Sequence, residues 1–71
     1  MKTIGKIVEF DGFSGALIDR EKTRHIFSNN DLLTKDLQVG DIVIFESELY
    51  KTVEVEIYIA RFVKKHEKSE A

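Results

Sequence analysis

The chain contains no cysteine. Neither a disulfide nor a thiolate-bound metal can therefore staple it. Its two histidines, His25 and His66, have no metal-ligand spacing to a partner, so no metal is expected. Proline is absent, and no repeat or linker interrupts the chain, so nothing marks a second domain. The longest apolar run is far short of a membrane span. No signal-peptide pattern opens the chain, and a cytoplasmic location is expected. Ser14, Ser28 and Ser47 lack a nucleophile-elbow context. Gly12 and Gly15 bracket a tight turn; a phosphate loop would need a longer glycine run, a lysine and a following helix. Nothing points to a cofactor or to an enzyme.

What is present suits one small domain. Seventy-one residues lie near the lower limit for burying a self-sufficient core. A hydrophobic fraction of 42% is too high for a disordered chain. The formal net charge of −2 is unevenly spread. Residues 1–28 carry five Lys/Arg against four Asp/Glu; residues 29–63 carry three against seven. An anionic ligand should prefer the N-terminal part. Glu46, Glu48, Glu54 and Glu56 are expected to form an acidic strip on adjacent strands, which could repel nucleic acid or dock a basic protein surface.

The pattern along the chain is that of strands and turns. "TIGKIVEF" (Thr3–Phe10) is rich in β-formers and ends at the turn signal Asp11-Gly12. "GALIDRE" (Gly15–Glu21) reads as a second strand. Glu21–Thr23 closes a hairpin into a third, Arg24–Ser28. Ser28, Asn29, Asn30 and Asp31 favour one helical turn through Leu33. Leu37–Asp41 is a loop in which Gly40 permits positive φ. Asp41–Leu49 and Thr52–Val63 are the clearest strands. In the last, Val53, Val55, Ile57 and Ile59 alternate with Glu54, Glu56 and Tyr58, the pattern of a half-buried strand.

Five strands with a short helical turn between the third and fourth predict an all-β, five-stranded antiparallel barrel, whose closure removes exposed edges. The expected core is Ile7, Leu17, Ile26, Val43, Phe45, Val55 and Ile57. His25 is expected at the surface. The domain is expected to span 1–64, with 65–71 a flexible tail.

The segments "GKIVEFD" (Gly5–Asp11), "GFSGALI" (Gly12–Ile18), "RHIFS" (Arg24–Ser28) and "LQVGDIVIF" (Leu37–Phe45) resemble, in order, the conserved segments of the cold-shock domain family. That resemblance covers nearly the whole expected domain. It implies an OB-fold barrel that binds single-stranded RNA or DNA by stacking bases on aromatic side chains of its first three strands. The family's platforms are largely replaced here. Glu9 stands at the tryptophan position, Ser14 and Ala16 at two phenylalanines, Arg24 at a third, and Ile26 at a histidine. Phe10 and Phe27 match the family.

Each lost platform removes roughly 1–3 kcal/mol of stacking, so any binding should be weak. The residual site implied comprises Lys6, Phe10, Phe13, Arg20, Arg24 and Phe27. Phe10 and Phe27 suit a core edge as well as a platform. Phe13 suits a turn plug as well as a displaced aromatic. Lys6, Arg20 and Arg24 also suit plain surface charge. The rival expectation is a protein-interaction module on a barrel that has lost nucleic-acid binding.

Overall fold

The computed structural model describes residues 2–66. Five strands form a closed, OB-like barrel: β1 (Lys2–Phe10), β2 (Ser14–Asp19), β3 (Arg24–Ser28), β4 (Ile42–Lys51) and β5 (Glu56–Lys65). A single 3-10 turn, Asn29–Asp31, follows β3. Around the barrel the order is β1-β2-β3-β5-β4. Every strand pairing is antiparallel except β3 with β5, which is parallel at His25/Tyr58 and Ile26/Ile59. No helix among the described residues is long and apolar enough to cross a membrane.

The turns form where short polar side chains cap the backbone. The Asp11 carboxylate accepts from the N–H groups of Phe13 (2.8 Å) and Ser14 (2.9 Å). These bonds favour the ionised form, those to Ser14 and Phe13 most, and lower the Asp11 pKa below 3.8. Gly12 takes φ +97° within this turn, a conformation L side chains resist. Asp19 accepts in the same way from Glu21 and Thr23 between β2 and β3. Gly40 adopts the positive φ expected of it, and its N–H donates to Ile7 O.

The core is drawn from Ile7, Leu17, Phe27, Leu37, Val43, Phe45, Ala60 and Val63. Each large apolar side chain among them gains about 1.5–3 kcal/mol from burial. Ile7, Leu17, Val43 and Phe45 stand as expected; Ile26, Val55 and Ile57 do not. Ile26 and Val55 are exposed and Ile57 is only half-buried. In β3 the inward residues are His25 and Phe27, so Ile26 must face out. In β5 the inward residues include Tyr58, which packs on His25, and buried Ala60. Ile57 and Ile59 therefore take the other face. Val53 and Val55 belong to the turn linking β4 and β5, not to a strand.

His25 is a core residue rather than a surface one, 1% exposed. Its Nε2 lies 2.9 Å from Ser47 Oγ and its Nδ1 3.2 Å from Thr23 O. Both ring nitrogens thus have partners, which burial of a polar ring demands. The ring meets Phe45 edge-on, with centroids 4.8 Å apart.

Two bulges shape the surface. In β1, Ile7 pairs with Leu17 but Glu9 pairs with Ala16, leaving Val8 as the extra residue. The extra residue reverses the alternation. Glu9 therefore points out, while Phe10 packs against the core. In β5, Arg61 pairs with Glu46 and Lys64 with Ile44, so Phe62 and Val63 together face Phe45. Val63 turns in, and exposed Phe62 takes φ 55°. Lys65, expected in the tail, ends β5 opposite Val43, and His66 N–H donates to Ile42 O. The rest of that expected tail, 67–71, lies outside the described residues.

Candidate nucleic-acid interface

An open groove of 1010 Å³ runs across the outer face of β1, β2, β3 and β5. Strand register builds its floor. Glu9, Ile26 and Ile59 lie in one row across its strands, with Ala16, covered and outside the lining, between Glu9 and Ile26. The neighbouring row is Phe10, Gly15 and Phe27. Gly15 is required there: a Cβ would strike Glu9 O and stand 2.8 Å from Phe27 Cζ. The Phe10 and Phe27 rings meet over this glycine, with centroids 5.6 Å apart. Ser14, Ser28 and Asn30 supply polar groups at the same end.

The six residues expected to form one patch are separated. Phe10, Arg24 and Phe27 line the groove. Phe27 is only 3% exposed and belongs to the core, so it offers a base little surface. Phe13 is 76% exposed on the β1–β2 turn, next in sequence to groove-lining Ser14. Lys6 is exposed in the row Lys6–Ile18–Arg24, two strands from Arg24 and outside the groove lining. Arg20 sits in the β2–β3 turn, at the opposite end of β2 from Ser14.

Of the lining residues only Phe10, Arg24 and Phe27 belong to the expected site; Ile26, Ile59 and Arg61 are among those outside it. Ile26, a residue of the expected core, lies on the floor instead, because β3 alternates with His25 and Phe27 inward. Ile59 and Arg61 reach the groove only because barrel closure sets β5 beside β3. No local pattern in the sequence carries that pairing.

Each guanidinium of the groove has a carboxylate partner. Arg24 Nη1 lies 3.2 Å from Glu9 Oε2. Arg61 reaches Asp31 at 3.3 Å and Glu48 at 3.9 Å. Asp31 also accepts from the Ser28 N–H and hydroxyl, which holds it at the groove edge. Two guanidinium groups thus line the groove with three carboxylates, those of Glu9, Asp11 and Asp31.

The acidic strip expected along β4 and β5 survives only in part. Glu46 and Glu48 share one face of β4, opposite Arg61 and Ile59, while Glu54 lies in the connecting turn and Glu56 pairs with Lys51 at 3.7 Å. No cluster among the described residues brings together three metal-ligating side chains. No family model matches the chain, and no curated protein matches it at a significant level.

Proposed function

We propose that this chain is a divergent cold-shock-like barrel that binds single-stranded RNA or DNA weakly and performs no catalysis. The observation that carries this reading is the groove: an apolar floor of Ile26 and Ile59, bounded by Phe10, Arg24 and Arg61. A base can lie flat on that floor. A guanidinium plane can stack on a base or pair with a phosphate. Ser14, Ser28 and Asn30 offer hydrogen bonds to base edges or sugar. Few aromatic platforms and an excess of carboxylate over guanidinium in the lining both argue for low affinity.

The test is a chemical-shift titration with a short pyrimidine-rich single strand below roughly 50 mM salt, where attraction to phosphate is least screened. Shifts should centre on Phe10, Arg24, Ile26 and Arg61. Absence of shifts at millimolar oligonucleotide would remove this reading.

A second reading, a protein-interaction module, is favoured by a different observation. Leu49, Tyr50, Val53 and Val55 are all exposed where β4 and β5 run on to their connecting turn, Leu49 and Tyr50 on opposite faces. Four large apolar side chains exposed on one short stretch favour a contact role.

A further inference from the structure

Ser47 stands at the mouth of the barrel. Val43 and Phe45 point into the core, and Ser47 and Leu49 continue the same face of β4. Among the described residues, β4 pairs with β5 alone beyond Glu46, and Ser47 is exposed. Its hydroxyl nevertheless meets a buried imidazole: Oγ lies 2.9 Å from His25 Nε2. The sequence around Ser47 carries no nucleophile elbow. Closure of the barrel brings a base to it from 22 residues away.

The neighbours of the ring fix the direction of that bond. His25 Nδ1 lies 3.2 Å from Thr23 O, and a carbonyl oxygen can only accept. Nδ1 of the neutral ring therefore carries the proton, Nε2 is the acceptor, and the Ser47 O–H donates to it. A base so placed is set to take the proton of an attacking hydroxyl.

Asp19 Oδ2 stands 4.0 Å from Nδ1, and Asp19 Oδ1 is held by the N–H groups of Glu21 and Thr23. That carboxylate favours the imidazolium formed once the proton has moved. Asp19 from β2 and Tyr58 from β5 are the titratable groups facing the ring; β4 supplies Phe45 and Ser47. With the ring 1% exposed, water screens the Asp19 charge little.

We infer that Ser47 is an activated nucleophile that takes acyl groups from activated esters of apolar acids, with His25 as its base and Asp19 as the counter-charge. Ser47 Oγ attacks the acyl carbonyl, the Oγ–C bond forms, and the bond to the leaving oxygen breaks. The hydroxyl proton passes to His25 Nε2 and from there to the leaving oxyanion. Leu49, 47% exposed and paired with Tyr58, follows Ser47 on the same face, so an apolar acyl chain can lie along that pair. The product is an ester on the chain itself, a single modification and not a turnover. The inference goes beyond the groove reading and uses no residue of the groove lining.

The test is acylation of the folded protein by p-nitrophenyl hexanoate, with sites and rates read by peptide mass spectrometry. Ser14, exposed and at the other end of β2 from Asp19, is the internal reference. Ser47 should react roughly a hundredfold faster than Ser14 or more, the range of general-base assistance. The ratio should fall on acidification, when the imidazole takes a proton of its own. It should fall several-fold in Asp19→Asn, which keeps Oδ1 for the turn and removes the charge. It should also be smaller with p-nitrophenyl acetate, whose chain is too short to reach Leu49.

His25→Phe keeps a ring in the core and should bring Ser47 to the rate of Ser14. If that variant does not fold, the pH dependence of the parent decides without it. A hydrogen bond that serves only to satisfy the imidazole leaves Ser47 and Ser14 equally reactive, and equal rates would overturn the inference. So would a ratio independent of pH, since the imidazole would then not be the base. An unchanged ratio in Asp19→Asn, or with the acetate, would overturn the part assigned to Asp19 or to the apolar chain.

Discussion

Arg24 Nη1 and Glu9 Oε2 lie 3.2 Å apart on the outer face of the barrel, both side chains more than half exposed. An exposed pair of this kind contributes about 0–1 kcal/mol to stability. Its effect on binding is larger in kind, because Glu9 occupies the guanidinium that a phosphate would otherwise take. The β1 bulge creates the pair, since it turns Glu9 outward.

Glu9→Gln should release Arg24 and strengthen oligonucleotide binding several-fold. Glu9→Trp should do more, because it removes the same charge and adds a platform of roughly 1–3 kcal/mol. Arg24→Ala should weaken binding and flatten its salt dependence. Chemical-shift titration at two salt concentrations measures all three variants; unchanged affinity in Glu9→Trp would count against the groove as the binding face.

Gly15→Ala should destabilise the fold by about 1–3 kcal/mol, the usual range for overpacking. The added Cβ meets Glu9 O and stands 2.8 Å from Phe27 Cζ, so either the β1 bulge or the Phe27 ring must move. Urea denaturation measures the loss. The amides of Phe10 and Phe27 should shift in the folded variant.

His25→Ala should cost about 2–5 kcal/mol, the usual range for truncating a large core side chain. The ring packs between Phe45 and Tyr58 and bonds to Ser47 Oγ and Thr23 O. Ser47→Ala should cost less, about 1–3 kcal/mol, because it removes only the partner of Nε2. Denaturant midpoints should rank the two in that order.

Asp11 makes one turn sensitive to acid. Its carboxyl is held below 3.8 by N–H bonds from Ser14 and Phe13. A carboxyl lowered on folding stabilises the fold above its unfolded pKa and loses that contribution as pH falls through the folded value. Asp11→Ala should therefore be less stable than the parent at neutral pH. The gap should close on acidification below pH 3.8. Thermal melts across that interval follow it; a gap independent of pH would mean that the charge plays no part.

Strand identity was legible in the sequence because alternation and turn chemistry are local. Asp11-Gly12 and Gly40 ended elements where expected, and Ile7, Leu17, Val43 and Phe45 declared their inward face. Facing in β3 was not legible, since His25, Ile26 and Phe27 allow either parity by hydropathy. Phe27 and His25 turned in, so Ile26 became groove floor. The last strand misled for a related reason: its alternating Val53, Val55 and Ile57 fall on an arm that leaves the barrel, while Ala60 and Val63 fill the core.

By itself, then, the sequence determined five strands, one helical turn, the turn at Asp11-Gly12 and the outward place of Arg24. Tertiary structure decided which residues share a surface. The parallel pairing of β3 with β5 brought Ile59 and Arg61 beside Ile26 and Arg24, and placed the Arg20 turn away from them. The two bulges chose the faces of Glu9 and Phe62. Pairing between distant strands depends on closing the whole barrel, and a one-residue slip reverses every side chain beyond it, so no local pattern encodes either.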